Sequence, residues 1–184
     1  MMLLVVLLGS ILQAQINAVT ESGDEVILYP DGTWKYKNKP NKERKEIPLN
    51  PEKFLKDPMA TFLVKSQKVN IGIWIDPKLW KFKKGQVHEA AEFQFKRQDF
   101  DLYGMLISEK IEIPIPALKE VALENAMEVA PDVKVDREEY RIVNGIKVLM
   151  MQMSGTIKGG KFTYYGYYYS SKSGTIQFLT YTAQ

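Results

Sequence analysis

Residues 133–183, VKVDREEYRIVNGIKVLMMQMSGTIKGGKFTYYGYYYSSKSGTIQFLTYTA, decide the fold. Four runs rich in β-branched and aromatic residues, 133–142, 146–157, 161–170 and 175–182, are separated by Asn144-Gly145, Gly159-Gly160 and Ser173-Gly174. Asn and Gly accept the positive φ that short hairpin turns demand, so each pair joins antiparallel neighbours. The stretch predicts a meander of three or four strands.

Upstream, residues 116–130 read as a helix, with Pro116 suited to a first turn that needs no N–H and Pro131 marking the end. Glu120, Glu124 and Glu128 recur four apart and define one solvated stripe. Leu118, Val121, Ala122, Leu123, Met127 and Val129 cover the remaining surface, which predicts a helix packed firmly on the sheet. Residues 90–97 and 102–110 read as a strand pair, and residues 61–65 and 69–75 as another, ended by Asp76-Pro77. Residues 78–82 read as a short turn that returns Trp80 to the core. The expected fold class is therefore α+β, an antiparallel meander packed with one main helix, over residues 59–184.

Three segments precede that domain. Residues 1–12, MMLLVVLLGSIL, form an apolar run the length of a signal-peptide core and shorter than the roughly 20 residues that span a bilayer. Residues 1–18 are accordingly read as a signal peptide, with Ala14 or Ala18 before the cleavage point, although the run lacks a basic start. In residues 19–39 the sequence DEVILYPDGTWKY predicts a hairpin about Pro30-Asp31-Gly32, whose Val26, Leu28, Trp34 and Tyr36 need apolar cover. Residues 40–58 contain Pro40, Pro48, Pro51 and Pro58 and the charge cluster KERKE at 42–46, the composition of a linker.

Composition narrows the chemistry. The 184 residues contain no cysteine and one histidine, His88, which removes disulfides, thiolate metal sites and multi-histidine centres. A lipoprotein anchor would also need a cysteine. The net charge of +3, from 25 basic and 22 acidic residues largely interleaved, does not describe a nucleic-acid-binding face. No cofactor is expected, and no membrane span once a signal segment is removed.

The candidate binding surface lies in Phe162-Thr163-Tyr164-Tyr165-Gly166-Tyr167-Tyr168-Tyr169. Strand alternation places Tyr165, Tyr167 and Tyr169 on one face, an amphipathic platform if the opposite face is core. The structural alternative, with both faces covered, buries it. Met150, Met151 and Met153 suggest a thioether cluster, but alternation lets only two converge, so core packing is expected. His88 is read as a surface residue of a polar turn, and Asp99, Asp101, Glu138 and Glu139 as solvated charge.

Ile71-Gly72-Ile73-Trp74-Ile75-Asp76-Pro77 followed by Trp80, then Val143-Asn144-Gly145, then Phe178-Leu179-Thr180-Tyr181-Thr182-Ala183, resembles the PsbP-like α/β/α sandwich group. That group includes photosystem accessory proteins and DcrB-type periplasmic proteins, and the similarity covers about residues 60–184. The resemblance implies accessory or binding roles without a shared catalytic set. It also implies a helix after the last strand, so a chain ending at Gln184 is expected to leave a sheet face open. The segment GDEVILYPDGTWKY is similar to one that recurs at the start of exported bacterial proteins. The functional expectation is a non-enzymatic, extracytoplasmic binding or accessory protein that takes a macromolecular partner or envelope component. The alternative is a small-ligand carrier or degenerate hydrolase with a pocket between helix and sheet.

Overall fold

The computed structural model describes residues 16–20, 22–38, 46–85 and 90–183. In chain order the strands are β1 (Ile16–Val19), β2 (Glu25–Leu28), β3 (Trp34–Tyr36), β4 (Leu49–Phe54), β5 (Phe62–Lys65), β6 (Gly72–Ile75), β7 (Trp80–Lys84), β8 (Ala91–Arg97) and β9 (Leu102–Glu109). Helix α1 (Ile115–Val129) follows, then β10 (Lys134–Val143), β11 (Ile146–Ile157), β12 (Gly160–Ser171) and β13 (Gly174–Ala183).

Eight of these strands form one sheet in the order β4-β10-β11-β12-β13-β9-β8-β7. All neighbours are antiparallel except β4, which runs parallel to β10. Strands β10 to β13 form a continuous meander, with Leu149 opposite Tyr140 and Tyr168, and Gly166 opposite Leu179. Its first turn places Asn144 and Gly145 at φ 48° and 84°. The second turn uses Lys158 and Gly159, at φ 50° and 84°, one residue earlier than the Gly-Gly pair suggests. Both are two-residue turns of the primed type, whose twist matches that of the strands they join.

The expectation of an α+β domain in the PsbP-like sandwich manner, with one main helix packed on a meander, is corrected. Among the described residues, thirteen strands and a single 15-residue helix make a sheet-dominated fold. The helix itself packs along a narrow stripe, burying Ala117, Leu118 and Ala122, while Val121, Met127 and Val129 stay exposed. Its apolar residues wrap too much of the circumference for one flat partner to cover them all. Additional strands come from segments read otherwise: β4 from the linker and β7 from the turn about Trp80. Pro51 sits inside β4, which is tolerated because β4 is an edge strand.

The sheet is apolar on both faces. On one, α1 covers Leu149, Met151, Met153, Tyr168 and Leu179. Gly166 makes room there, since a Cβ at that position would lie 2.5 Å or less from the Tyr168 ring. On the other face, β5 and β6 form a separate antiparallel hairpin whose Val64 and Ile75 pack on Phe93, Phe95, Leu106 and Ile176. The Glu92 carboxylate fastens this hairpin's turn. It accepts from Ser66 Oγ at 2.7 Å, from the Gln67 N–H at 2.5 Å, and from the Ser108 hydroxyl on β9.

The N-terminal hairpin forms as expected, with Tyr29 N–H to Thr33 O at 2.9 Å closing its turn, and β1 joins it as a third strand. Val26 is buried, whereas Leu28, Trp34 and Tyr36 remain exposed. Ala18 lies within β1 opposite Val26. Most of the proposed signal segment, residues 1–15, and all but Glu46 of the KERKE cluster lie outside the described residues, as does His88.

If α1 is held by one stripe alone, Leu118→Ala costs about 3 kcal/mol through cavity formation. Val121→Ala, on the open side, changes stability by less than about 0.5 kcal/mol. Urea denaturation of the two variants at neutral pH checks the contrast; equal losses would mean that the whole helix circumference is packed.

Candidate functional site

Tyr165, Tyr167 and Tyr169 all point away from α1, on the face that carries the β5–β6 hairpin, but they do not form one flat platform. Tyr165 is exposed, while Tyr167 and Tyr169 are half-buried. The hairpin covers the β8, β9 and β13 side of this face and stops short of β11. Between hairpin and sheet it leaves a cleft of about 460 Å³. Tyr167, Tyr169 and Phe178 line its floor, Ile73 and Trp74 its hairpin wall, and Ile146 its far side. Leu55, 78% exposed in the segment after β4, stands at the rim. This cleft lies on the sheet face opposite the helix.

The ionisable groups of the cleft sit at its edge and are already engaged. Lys56 Nζ donates to Ala60 O at 3.1 Å and lies 5.0 Å from the Trp74 ring centroid. Asp57 Oδ1 accepts the Met59 N–H at 2.7 Å. The cleft therefore offers aromatic and aliphatic walls to an apolar body, with a polar fringe. Its volume falls in the range of small-molecule and peptide side-chain sites.

Beside the cleft lies an ionic cluster centred on Glu139, a buried residue that the sequence reading places in solvent. Glu139, 8% exposed, accepts from Arg141 Nε at 2.6 Å, Arg137 Nη2 at 2.7 Å and Asn50 Nδ2 at 3.0 Å. Arg141 then donates through Nη1 to the Tyr167 hydroxyl at 3.0 Å and lies 4.5 Å from the Phe54 ring centroid. Burial disfavours the Glu139 charge, but the three donors outweigh it and hold the carboxyl below its ordinary 4.5. The cluster ties β4 and β10 to the tyrosine strand and fixes the Tyr167 ring. A signal for it exists in the sequence: Arg137, Glu139 and Arg141 are spaced two apart and must share one strand face.

The other predicted candidates are dispersed. Met151 and Met153 lie under the helix and Met150 on the opposite face, so the three do not converge. Glu120, Glu124 and Glu128 are exposed along α1. Glu138 pairs with Lys119 at 2.5 Å, Asp99 with Arg97 at 2.7 Å, and Asp101 accepts from the Tyr103 hydroxyl at 2.7 Å. Among the described residues no group of three or more His, Asp or Glu is placed to hold a metal ion. Burial pushes the Tyr168 phenol up to about 12, and that of Tyr164 higher, so both are neutral core groups at physiological pH.

No protein-family model matches the chain, and neither does any curated protein. Among solved structures, it is similar to a Pseudomonas aeruginosa protein of unknown function for which a regulatory role has been suggested. The TM-score is 0.39 at 13% identity, over 66% of this chain and 81% of that one. A likeness that shallow carries no functional argument. No described helix is long and apolar enough to cross a membrane.

Glu139→Gln leaves two guanidinium groups facing a neutral amide and costs about 3 kcal/mol at neutral pH, read by urea denaturation. Arg137→Gln, at a side chain that is mostly exposed, costs about 1 kcal/mol or less. The depressed carboxyls of Glu139 and Glu92 contribute stability that is fully present above their ordinary 4.5 and is lost as pH falls through their lower folded values. Stability is expected to drop between neutral pH and the acid range, and less steeply in Glu139→Gln; parallel pH profiles for variant and parent would contradict the assignment.

Proposed function

We propose that the protein is a non-catalytic, extracytoplasmic binding or accessory protein that takes an apolar portion of a macromolecular partner or envelope component in the cleft between the β5–β6 hairpin and the sheet. The observation that carries this reading is that Tyr167, Tyr169, Phe178 and Trp74 together line a cleft of about 460 Å³. Aromatic side chains supply large contact area at low conformational cost, and they are enriched at protein interfaces for that reason. Exposed Leu55, Trp74 and Ile146 extend the apolar surface from the cleft to its mouth. The apolar run at residues 1–12 supports the compartment.

A second reading, a small-ligand carrier, draws on the same cavity volume. The two differ in what fills the space: a projecting apolar segment of another macromolecule, or a free ligand.

Cross-linking of the purified protein in an envelope extract tests the first reading, with Leu55→Ser and Tyr169→Ala as the diagnostic variants. Leu55 is exposed and its replacement leaves the fold intact, so loss of a cross-linked partner in both variants supports the cleft. Retention of every partner by both variants overturns it. A rise in melting temperature with a small apolar ligand, abolished in Tyr169→Ala, favours the carrier reading instead.

A further inference from the structure

The free edge of the large sheet, opposite β4, is β7. Its residues Trp80-Lys81-Phe82-Lys83-Lys84 pair with Phe93–Arg97 of β8. These ten residues hold five basic side chains and no acidic one, in a chain whose formal charge is only +3. Lys81, Lys83, Lys84 and Lys96 are all exposed. Among the described residues, none of the four is in an ion pair. Lys96 Nζ lies 5.4 Å from the Tyr103 ring centroid.

The nearby carboxylates are turned to other tasks. Asp99 holds Arg97, Asp101 accepts from Tyr103, Asp76 accepts the Lys78 N–H at 2.8 Å, and Glu92 fastens the β5–β6 turn. Strand alternation puts Lys81, Lys83 and Lys96 on the helix-side face of the edge and Lys84 with Phe82 on the hairpin-side face. There Phe82, 39% exposed, packs beside Phe93 and Phe95 and lies 5.6 Å between ring centroids from Phe62, 45% exposed. Lysines on a sheet edge prevent strand-to-strand aggregation. That role alone does not account for two half-exposed phenylalanines on the hairpin side of the same edge, which weaken the protection.

We propose that the β7 edge docks on a bilayer surface rich in anionic lipids. With the strand edge turned to the bilayer, the ammonium groups of Lys81, Lys83 and Lys96 meet headgroups on one side of the edge and Lys84 on the other, where Phe62 and Phe82 reach the acyl boundary. Ammonium groups are compact point charges that suit a diffuse layer of negative headgroups, whereas bidentate recognition of a single phosphate favours arginine. Aromatic rings beside such a basic row add apolar area at the interfacial depth. The surface shares no residue with the tyrosine cleft, so the two readings stand or fall separately.

Co-sedimentation of the full chain with vesicles of phosphatidylcholine alone, and with vesicles containing phosphatidylglycerol, tests the proposal. The apolar residues 1–12 partition into neutral and anionic bilayers alike, so the difference between the two vesicles is the readout. Tighter binding to the anionic vesicles is expected, weakening as salt rises. The variant Lys81→Gln/Lys83→Gln/Lys84→Gln should lose about 100-fold in affinity for them. A control variant, Lys53→Gln/Lys134→Gln/Lys147→Gln, removes the same charge from β4, β10 and β11 and should lose far less. Equal binding to both vesicles, or equal losses in both variants, would overturn the proposal. Retention on a polyglutamate matrix without any preference for anionic vesicles would also overturn it, and would assign the edge to an acidic protein instead.

Discussion

Everything in this structure follows from a sheet whose long central strands are apolar on both faces. Alternation along β11 sends Leu149, Met151 and Met153 to one side and Val148 and Met150 to the other, and the paired residues of β12 and β13 follow the same division. Neither face can be left to water. Burial of apolar area is the main favourable term in folding, so each face needs its own cover. One cover is helical and the other is a two-stranded hairpin, and the difference between them sets where a ligand can enter.

The meander and the helix were legible in the sequence because their signals are local. Asn144-Gly145 defines its turn with no help from the rest of the chain, and Pro116 marks the first helical turn. The linker containing Pro48 and Pro51 reads as irregular, yet β4 forms in it because the outer edge of β10 offers hydrogen-bond partners, including the Tyr140 N–H to Pro48 O at 2.8 Å. Parallel edge pairing between residues about 90 apart leaves no mark in local composition. The same limit hid the role of the strand pair 61–65 and 69–75. Its strands were legible, but nothing in them showed that they would lie across the sheet instead of joining it.

Charge was misread for a related reason. Glu139 belongs to an acidic pair that looks solvated in sequence, whereas Asn50 reaches it from a strand 89 residues away. Only with β4 in place is the carboxylate enclosed, and only then do Arg137 and Arg141 become structural. Tyr167 is legible as a strand aromatic, but its fixed orientation comes from the Arg141 guanidinium, which is itself held by Glu139. The platform of three tyrosines foreseen from spacing therefore divides into one exposed ring and two that line a cleft.

That cleft is a consequence of mismatch between cover and face. The hairpin is anchored at its turn by Glu92 and packs over β8, β9 and β13, and with four-residue strands it is too short to reach β11 as well. A longer hairpin would close the gap and bury Ile146, which the actual one leaves partly in water. Apolar surface exposed around an apolar concavity is a cost to the isolated chain unless something else comes to occupy it. The ionic cluster beside it holds the floor by fixing Tyr167, so the space persists instead of collapsing inward. Binding to a preformed cavity forgoes much of the ordering cost that a flexible surface would incur, and this is why the cleft, rather than the exposed Tyr165, is the part of the tyrosine face best suited to recognition.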